Sequence, residues 1–320
     1  MRVLFAASPA IAAPALQSLC SVEGVELAGV LTNPDAPRGR NGVPQPTEIG
    51  EAAQKLSAEF EGQGRAGFPV FKPLKLDSSA REQIGAVKAD LLVSFAYGRI
   101  FGPKFLAIFP LGGINIHPSL LPKYRGPSPI QAAILNRDSV TGITVQTLEK
   151  EMDSGNILAQ EQFQLTGKET SGALGEIMAK KAAAMLAGVI KDIAAVRPAA
   201  QNHSEASYCS LVTVADGLID WNRSAAEIEA KIRAFDPWPL CRTIHKGREL
   251  LLLKASVSKN ENSRAEPGLV LGIDNQEGIL IQTGEGILAV TKLQYQAKKA
   301  LVWRDFLNGA RDFVNSNLGK

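Results

Sequence analysis

Three polar side chains able to do chemistry lie in an otherwise apolar part of the sequence. Asn115 and His117 belong to the alternating run Gly113-Ile114-Asn115-Ile116-His117, and Asp153 comes just before a Ser-Gly turn. If the run is a strand, its alternation places Asn115 and His117 on the same face. The turn after Asp153 is of a kind that can direct a carboxylate inward. The pattern indicates a site with an amide donor, an imidazole and a carboxylate.

The chemistry suited to these three groups is the transfer of an acyl-type group. An asparagine amide can donate to a carbonyl oxygen that gains negative charge, a histidine can donate to it or move a proton, and an aspartate can orient the histidine. No activated nucleophile stands beside them, which favours direct transfer between two bound substrates. The alternative is a strand end whose polar side chains are simply satisfied. The scarcity of histidine favours the site, because the chain has three and His203 and His245 fall in segments typical of a linker and a later domain.

The elements that would hold these groups have the pattern of an open α/β sheet. Residues 2–6 predict a buried first strand, residues 27–32 a second, and residues 90–98 the most convincing buried strand of the chain. A helix opened by Ser8-Pro9 would join the first two strands into a βαβ unit. Ligands of such sheets bind beyond the carboxyl ends of the strands, where His117 would lie. The first turn carries no G-x-G-x-x-G, so a dinucleotide site loses its main support.

The second half of the chain predicts a separate domain. An amphipathic helix over residues 169–196 would pack on the sheet, and the polar, proline-containing residues 197–206 have the composition of a linker. Short strand-like runs separated by glycine turns follow a short helix and predict a small barrel. The expected organisation is a catalytic domain over residues 1–196, a linker over 197–206 and a second domain over 207–320.

Composition narrows the possible functions. A length of 320 residues fits two domains, and a net charge of +3 is too small to indicate nucleic acid binding by itself. The three cysteines lie far apart, so neither a disulfide framework nor a metal site is predicted. No apolar run approaches the roughly 20 residues that span a bilayer, and no signal peptide precedes the first strand. A cytoplasmic location is therefore expected.

Longer motifs around the three polar groups resemble a known family. Asn115-x-His117-x-Ser119-Leu120-Leu121-Pro122-x-Tyr124-Arg125-Gly126 and Asp153-x-Gly155 are similar to the signature of the formyltransferases that use 10-formyltetrahydrofolate. Motifs more specific to the branch that acts on methionyl-tRNA are Asn33-Pro34-Asp35, Ala96-Tyr97-Gly98, Ile219-Asp220-Trp221 and Arg233-Ala234-Phe235-Asp236-Pro237-Trp238-Pro239. The resemblance covers nearly the whole chain. It implies a doubly wound, Rossmann-like α/β formyltransferase domain followed by a small OB-like β-barrel.

The resemblance also implies an activity and residue roles. The chain would transfer the formyl group of 10-formyltetrahydrofolate to the α-amino group of methionine on initiator tRNA, without a metal. Asn115 and a protonated His117 would stabilise the oxyanion, while Asp153 would hold His117 and relay a proton. The folate would contact Ser119, Leu120, Leu121 and Pro122 after the catalytic strand, and Phe95, Ala96, Tyr97 and Ile100 at the end of the buried strand. Contacts to tRNA would come from Arg40, in the loop over residues 33–46, and from Lys298 and Lys299 in the barrel.

Two departures from the family and several alternatives stay open. The family usually has a glycine near the position of Ala7, and this chain has none there. The family also commonly has a lysine several residues before Ile219, and residues 210–213 contain no lysine. Related enzymes with the same three polar groups formylate a sugar nucleotide or a purine precursor, or hydrolyse formyltetrahydrofolate, and the C-terminal half separates them. A catalytically silent RNA-binding module is the alternative from another class. A monomer is expected.

Overall fold

The chain forms two compact units. Its structure, a computed structural model, describes residues 1–38, 42–260 and 264–319. The first unit consists of Met1–Pro129, Val140–Gln164 and Gly175–Ser210, and the second of Ile130–Ser139, Leu165–Leu174 and the chain from Leu211 on. Within the described ranges, no helix is long and apolar enough to cross a membrane.

A seven-stranded mixed sheet organises the first unit. The helices and strands as far as the end of the long amphipathic helix are β1 (Arg2–Ala7), α1 (Ala13–Leu19), β2 (Glu26–Leu31), β3 (Ala36–Arg38), β4 (Val43–Gln45), α2 (Glu48–Gly62), β5 (Val70–Phe71), α3 (Ser78–Gly85), β6 (Leu91–Phe95), α4 (Pro103–Leu106), β7 (Gly113–His117), α5 (Pro129–Leu135), β8 (Val140–Thr147), β9 (Ile157–Gln164) and α6 (Ser171–Lys191). The strand order is β5-β2-β1-β6-β7-β8-β9. The first five strands run parallel, and β8 and β9 continue the sheet antiparallel.

The apolar runs of the sequence form the middle of this sheet. All five residues of β6 are buried, as are the last five of β1, so both faces of the central strands are covered. The chain order reverses between β1 and β6, which is the kind of point at which open α/β sheets bind ligands. The Rossmann-like fold expected for the first half is confirmed.

Two local expectations are corrected near the N-terminus. The chain after Ser8-Pro9 forms a short 3-10 helix, and α1 begins only at Ala13 with a proline in its first turn, because proline lacks the N–H that a helix interior requires. The Ser8 hydroxyl accepts hydrogen bonds from the backbone and side-chain nitrogens of Asn33 and does not cap the helix. Within residues 33–46, for which the sequence predicts a loop, β3 and β4 pair as a two-stranded antiparallel ribbon.

The segment predicted to be a linker lies against the first unit. Ile157 and Ala199 exchange backbone hydrogen bonds of 2.7 and 2.9 Å, and the backbone N–H of Arg125 donates to the carbonyl of Ser207 at 2.8 Å. Gln201, in the middle of residues 197–206, is buried. These contacts place the segment in the first unit, while the proposed boundary between the domains remains a prediction.

The second unit is built on an antiparallel sheet. Its elements beyond residue 211 are α7 (Ala225–Ala234), β10 (Cys241–His245), β11 (Arg248–Val257), β12 (Val270–Asp274), β13 (Gly278–Gln282), β14 (Ile287–Tyr295), β15 (Leu301–Val302) and α8 (Trp303–Asn308). The strand order is β10-β11-β14-β13-β12, with β15 also on β14. Helix α7 begins with a capping box in which Ser224 and Glu227 exchange hydrogen bonds. The strand-rich second domain expected from the glycine-punctuated sequence is confirmed.

Candidate active site

His117 is the last residue of β7, and its ring is held from both sides. Its Nε2 lies 2.8 Å from the carbonyl oxygen of Tyr124, so Nε2 carries a hydrogen and donates to that oxygen. Its Nδ1 lies 3.5 Å from Oδ2 of Asp153, and only 5% of the His117 side chain is exposed. Nδ1 therefore faces a carboxylate. Since Nε2 is already used by the Tyr124 carbonyl, Nδ1 is the ring nitrogen that can also contact a ligand.

Asp153 is fixed in the connection between β8 and β9. Its Oδ2 accepts a 2.8 Å hydrogen bond from the backbone N–H of Gly126, and its Oδ1 accepts a 3.0 Å bond from Nε2 of Gln146. Its backbone has a φ of +53°, a left-handed conformation that aspartate adopts more readily than most residues. Two residues on, a side chain at Gly155 would place its Cβ 1.8 Å from the carbonyl oxygen of Thr147, so this turn requires glycine. The Asp-x-Gly pattern is thus the geometry that delivers the carboxylate to His117.

The side-chain amide of Asn115 is available to bind a ligand. It is half-buried in β7, and its cross-strand partner in β8 is the buried Gln146. Alternation along β7 places it on the same face as His117, whose partner is Thr144. The side-chain amide of Asn115 forms no hydrogen bond with residues 1–38, 42–260 or 264–319. The structure therefore brings together the imidazole and the carboxylate, with an amide free for a ligand on the same strand as the imidazole.

The loop predicted to contact folate after His117 is held by its own polar groups. The hydroxyl of Ser119 donates to the carbonyl of Lys123 at 2.6 Å, and the hydroxyl of Thr144 donates to the carbonyl of Ser119 at 2.7 Å. Gln160 donates to the carbonyl of Leu121 at 3.0 Å. Leu120 and Pro122 are half-buried, whereas Leu121 is buried. The loop is a rigid edge to the site, and its hydroxyl is already used within it.

The predicted folate residues at the end of β6 divide into two kinds. Phe95 and Tyr97 are buried, and the ring of Tyr97 stacks on Phe101 with centroids 5.1 Å apart. Burial raises the pKa of the Tyr97 phenol. Ala96 and Ile100 are exposed. Because Phe95 pairs with Ile116, the end of β6 lies beside the end of β7. Side chains able to touch a ligand here are therefore Ala96 and Ile100, while Phe95 and Tyr97 build the wall from behind.

Three polar residues at this site are absent from the sequence-based prediction of catalytic and binding residues. Gln146 is buried and donates to Asp153, and Arg125 is buried although it is charged. The guanidinium of Arg125 donates to Oε1 of Gln201 through Nε at 3.2 Å and Nη2 at 2.7 Å, and its Nη2 lies 3.0 Å from Nδ1 of His203. The alternation of side chains along β8 places Gln146 on the same face as Asn115, and this pattern could have indicated Gln146 from the sequence. Nothing in the composition of residues 197–206 marks Gln201 as part of the site.

The residues predicted to contact tRNA lie apart from these groups in sequence. Arg40 lies outside the described residues. Lys298 and Lys299 are exposed in the second unit, just after β14. Among the described residues, no group of three or more His, Cys, Asp or Glu side chains is placed to hold a metal ion.

Comparison with known proteins identifies the family. Residues 1–190 match the sequence profile of the family described as formyl transferase, and residues 211–311 match that of its C-terminal domain. The chain is 48% identical over 322 residues to the methionyl-tRNA formyltransferase of Treponema denticola, which covers 98% of each chain. It is 42% identical to that of Treponema pallidum, which covers 100% of this chain and 99% of the relative. An N-formyltransferase of Helicobacter canadensis, solved with folinic acid and dTDP-3-aminofucose, shares the fold with a TM-score of 0.62 at 19% identity, over 90% of this chain and 97% of that one. The chain belongs to the methionyl-tRNA formyltransferases, a branch of the formyl transferase family.

Proposed function

We propose that this chain transfers the formyl group of 10-formyltetrahydrofolate to the α-amino group of methionine carried by initiator tRNA. The observation that supports this best is the contact between Nδ1 of His117 and Oδ2 of Asp153, 3.5 Å apart at the end of β7. Attack of an amine on a formyl carbon requires donors for the carbonyl oxygen and an acceptor for the amine proton. The half-buried Asn115 and the His117–Asp153 pair provide these groups.

The residues around the pair suit a folate donor. The ends of β6 and β7 lie side by side, with exposed apolar surface at Ala96 and Ile100 and a rigid loop over residues 119–122. Sites for organic ligands are typically apolar with a few fixed polar groups, which describes this edge of the sheet. When bound, 10-formyltetrahydrofolate would supply the formyl group, which it carries on its N10 nitrogen.

Each of the three groups would have a distinct task. The Asn115 side-chain amide would donate to the formyl oxygen as negative charge grows there, and the Nδ1–H of His117 would be shared between Asp153 and that oxygen. Asp153 would keep the His117 ring oriented and accept the proton that the amine loses when the new C–N bond forms. That proton would then pass to N10 as the old C–N bond breaks, so the protons balance. Holding both substrates side by side would add a proximity contribution, which can reach roughly 7 to 11 kcal/mol.

The tRNA partner would be recognised by residues other than the three catalytic groups. We infer that Arg40 contacts the acceptor arm through charge-assisted hydrogen bonds and that Lys298 and Lys299, exposed in the second unit, add phosphate contacts. An enzyme acting on charged initiator tRNA works where translation begins, so we infer that the chain acts in the cytoplasm. We also propose that it acts as a monomer.

A formylation assay with several acceptors tests this proposal. The purified chain is given 10-formyltetrahydrofolate together with methionyl-tRNA, a dTDP-amino sugar, a purine precursor amine or no acceptor. Formyl transfer to methionyl-tRNA at least about 100-fold above the other acceptors is expected, because a missing specific contact weakens transition-state binding by orders of magnitude. Asn115→Ala should lower kcat, whereas Asn156→Ala, which removes an exposed asparagine near the site, should not.

Three outcomes would overturn the assignment. Preferential transfer to the amino sugar or the purine precursor would make the chain a different transferase on the same scaffold. Release of formate without an acceptor, at the rate of transfer, would make it a hydrolase. Binding of tRNA with no turnover on any acceptor would favour an RNA-binding role without catalysis.

A further inference from the structure

A buried glutamine from the segment that follows α6 in the first unit is part of the active-site framework. We propose that Gln201 is a positioning residue that sets the orientation of the catalytic Asp153, a role that rests on the proposed function of Asp153. Gln201 is 5% exposed and belongs to residues 197–206, whose polar composition predicts a simple linker. All of its side-chain partners lie within the first unit.

The amide of Gln201 is fully engaged and has one possible orientation. Its Nε2 donates to the carbonyl oxygens of Asp153 at 2.9 Å and Gly155 at 2.7 Å, and it lies 3.2 Å from Oε1 of Gln146. Its Oε1 accepts from both Nε and Nη2 of Arg125. Rotating the amide by 180° would set a donor against a guanidinium and an acceptor against three oxygens. The orientation is therefore fixed by its surroundings.

These contacts reach Asp153 by two routes. The first is direct, because the bond to the Asp153 carbonyl holds the left-handed turn at that residue. The second runs through Gln146, whose Oε1 lies 3.2 Å from Nε2 of Gln201, so that its own Nε2 is turned toward Oδ1 of Asp153. Gln201 thus controls both the backbone and the side-chain rotation of the carboxylate.

The network closes into a ring around the catalytic carboxylate. Arg125 donates to Oε1 of Gln201. The next residue, Gly126, donates its backbone N–H to Oδ2 of Asp153. The sequence of contacts runs from Asp153 to Gln146, Gln201 and Arg125, and returns through Gly126. A buried polar network in which every member is satisfied makes its geometry rigid. The carboxylate facing His117 consequently has little freedom to rotate.

Two substitutions separate positioning from simple structural support. Gln201→Glu keeps the size and the acceptor for Arg125 but removes the donor to Asp153, Gly155 and Gln146, while Gln201→Met removes both functions. We expect kcat to fall by about 10 to 100-fold in both variants, as for a displacement of a reacting group by an ångström or less. KM values for folate and charged tRNA should stay within about two-fold of wild type. Asn202→Ala, the exposed neighbour, is the matched control.

The pH profile and a double variant complete the test. Loss of positioning should shift the pH at which kcat is half-maximal, whereas partial misfolding would lower the amplitude without moving the profile. Gln201→Glu combined with Asp153→Ala should be no slower than Asp153→Ala alone, because the two residues act through the same group. If Gln201→Glu does not fold, as measured by thermal unfolding, Gln146→Met breaks the same ring from the opposite side and should give the same kcat loss.

The outcomes distinguish this inference from the function on which it rests. If Asp153→Ala keeps normal turnover, the proposed role of Asp153 is wrong. If Asp153→Ala is inactive while Gln201→Glu and Gln146→Met turn over normally, only the positioning role is overturned. Multiplicative losses in the double variant, with an unshifted pH profile, would also overturn it by showing that Gln201 supports the fold without acting through Asp153.

Discussion

The substitution Asp153→Asn changes one charge at the centre of the site with almost no change in shape. The two carboxylate oxygens face two hydrogen-bond donors, the N–H of Gly126 at 2.8 Å and Nε2 of Gln146 at 3.0 Å. An asparagine has one oxygen, so its NH2 group must face one of these donors. Gln146 cannot rotate freely to accommodate it, because its Oε1 receives Nε2 of Gln201. The variant therefore loses one buried hydrogen bond and sets two donors against each other.

The expected magnitudes follow from these contacts. An unsatisfied buried donor costs about 1 to 3 kcal/mol of stability, so the variant should still fold with a lowered Tm. Loss of the acceptor for the amine proton should reduce kcat by at least about 100-fold, which corresponds to about 2.7 kcal/mol of transition-state stabilisation. Folate affinity should change far less, because none of the residues predicted to bind folate hydrogen-bonds to this carboxylate.

Single-turnover formylation of charged methionyl-tRNA, with thermal unfolding in parallel, measures both effects. Glu151→Gln removes a negative charge from an exposed position two residues earlier in the same turn and serves as the control. If Asp153→Asn turned over within about three-fold of Glu151→Gln, a general acid or base role for Asp153 would be refuted. If both variants were equally slow, long-range charge in the turn, and not the contact with His117, would explain the loss.

Three further predictions concern other parts of the chain. Burial raises the pKa of the Cys241 thiol to about 12, so iodoacetamide should leave it unmodified in the folded chain and label it after unfolding, as followed by mass spectrometry. Burial, with a smaller contribution from the Lys246 charge, lowers the pKa of His245. The unfolded chain then binds more protons, so the stability of the second unit should fall as pH drops below about 6.5, and His245→Gln should flatten this dependence in urea titrations. Arg40→Ala should raise KM for charged tRNA and reduce the slope of log K against log salt by about one, with folate affinity unchanged; unchanged kinetics at low salt would direct attention to Lys298 and Lys299.

The fold of the first unit was predictable because its signals are local. Continuous apolar runs at β1, β2 and β6 require burial on both faces, and that requirement is met in a parallel sheet. The alternation in residues 113–117 likewise fixes which side chains share a face. His117 and Asp153 lie together as expected, although their catalytic roles stay predictions.

The polar framework around the site was not predictable, because it depends on contacts between residues far apart in sequence. Gln201 bonds to Gln146 across a separation of 55 residues and to Arg125 across 76. Composition alone marks residues 197–206 as polar and proline-containing, which is equally typical of a solvated linker and of a segment that satisfies buried groups. Similarly, no local rule distinguishes a free loop from the ribbon formed by β3 and β4, since both are rich in proline and glycine.

The left-handed turn at Asp153 depends both on local backbone conformation and on contacts with residues distant in sequence. A non-glycine residue at a φ of +53° carries a backbone cost, which a surface turn would normally avoid by using glycine or asparagine. Glycine at this position would remove the carboxylate that faces His117, and asparagine would leave a donor facing a donor. Aspartate can hold the conformation because Gln201 binds its carbonyl and Gly126 binds its side chain. The backbone and the side chain of this one turn residue are therefore both held by hydrogen bonds from residues distant in sequence.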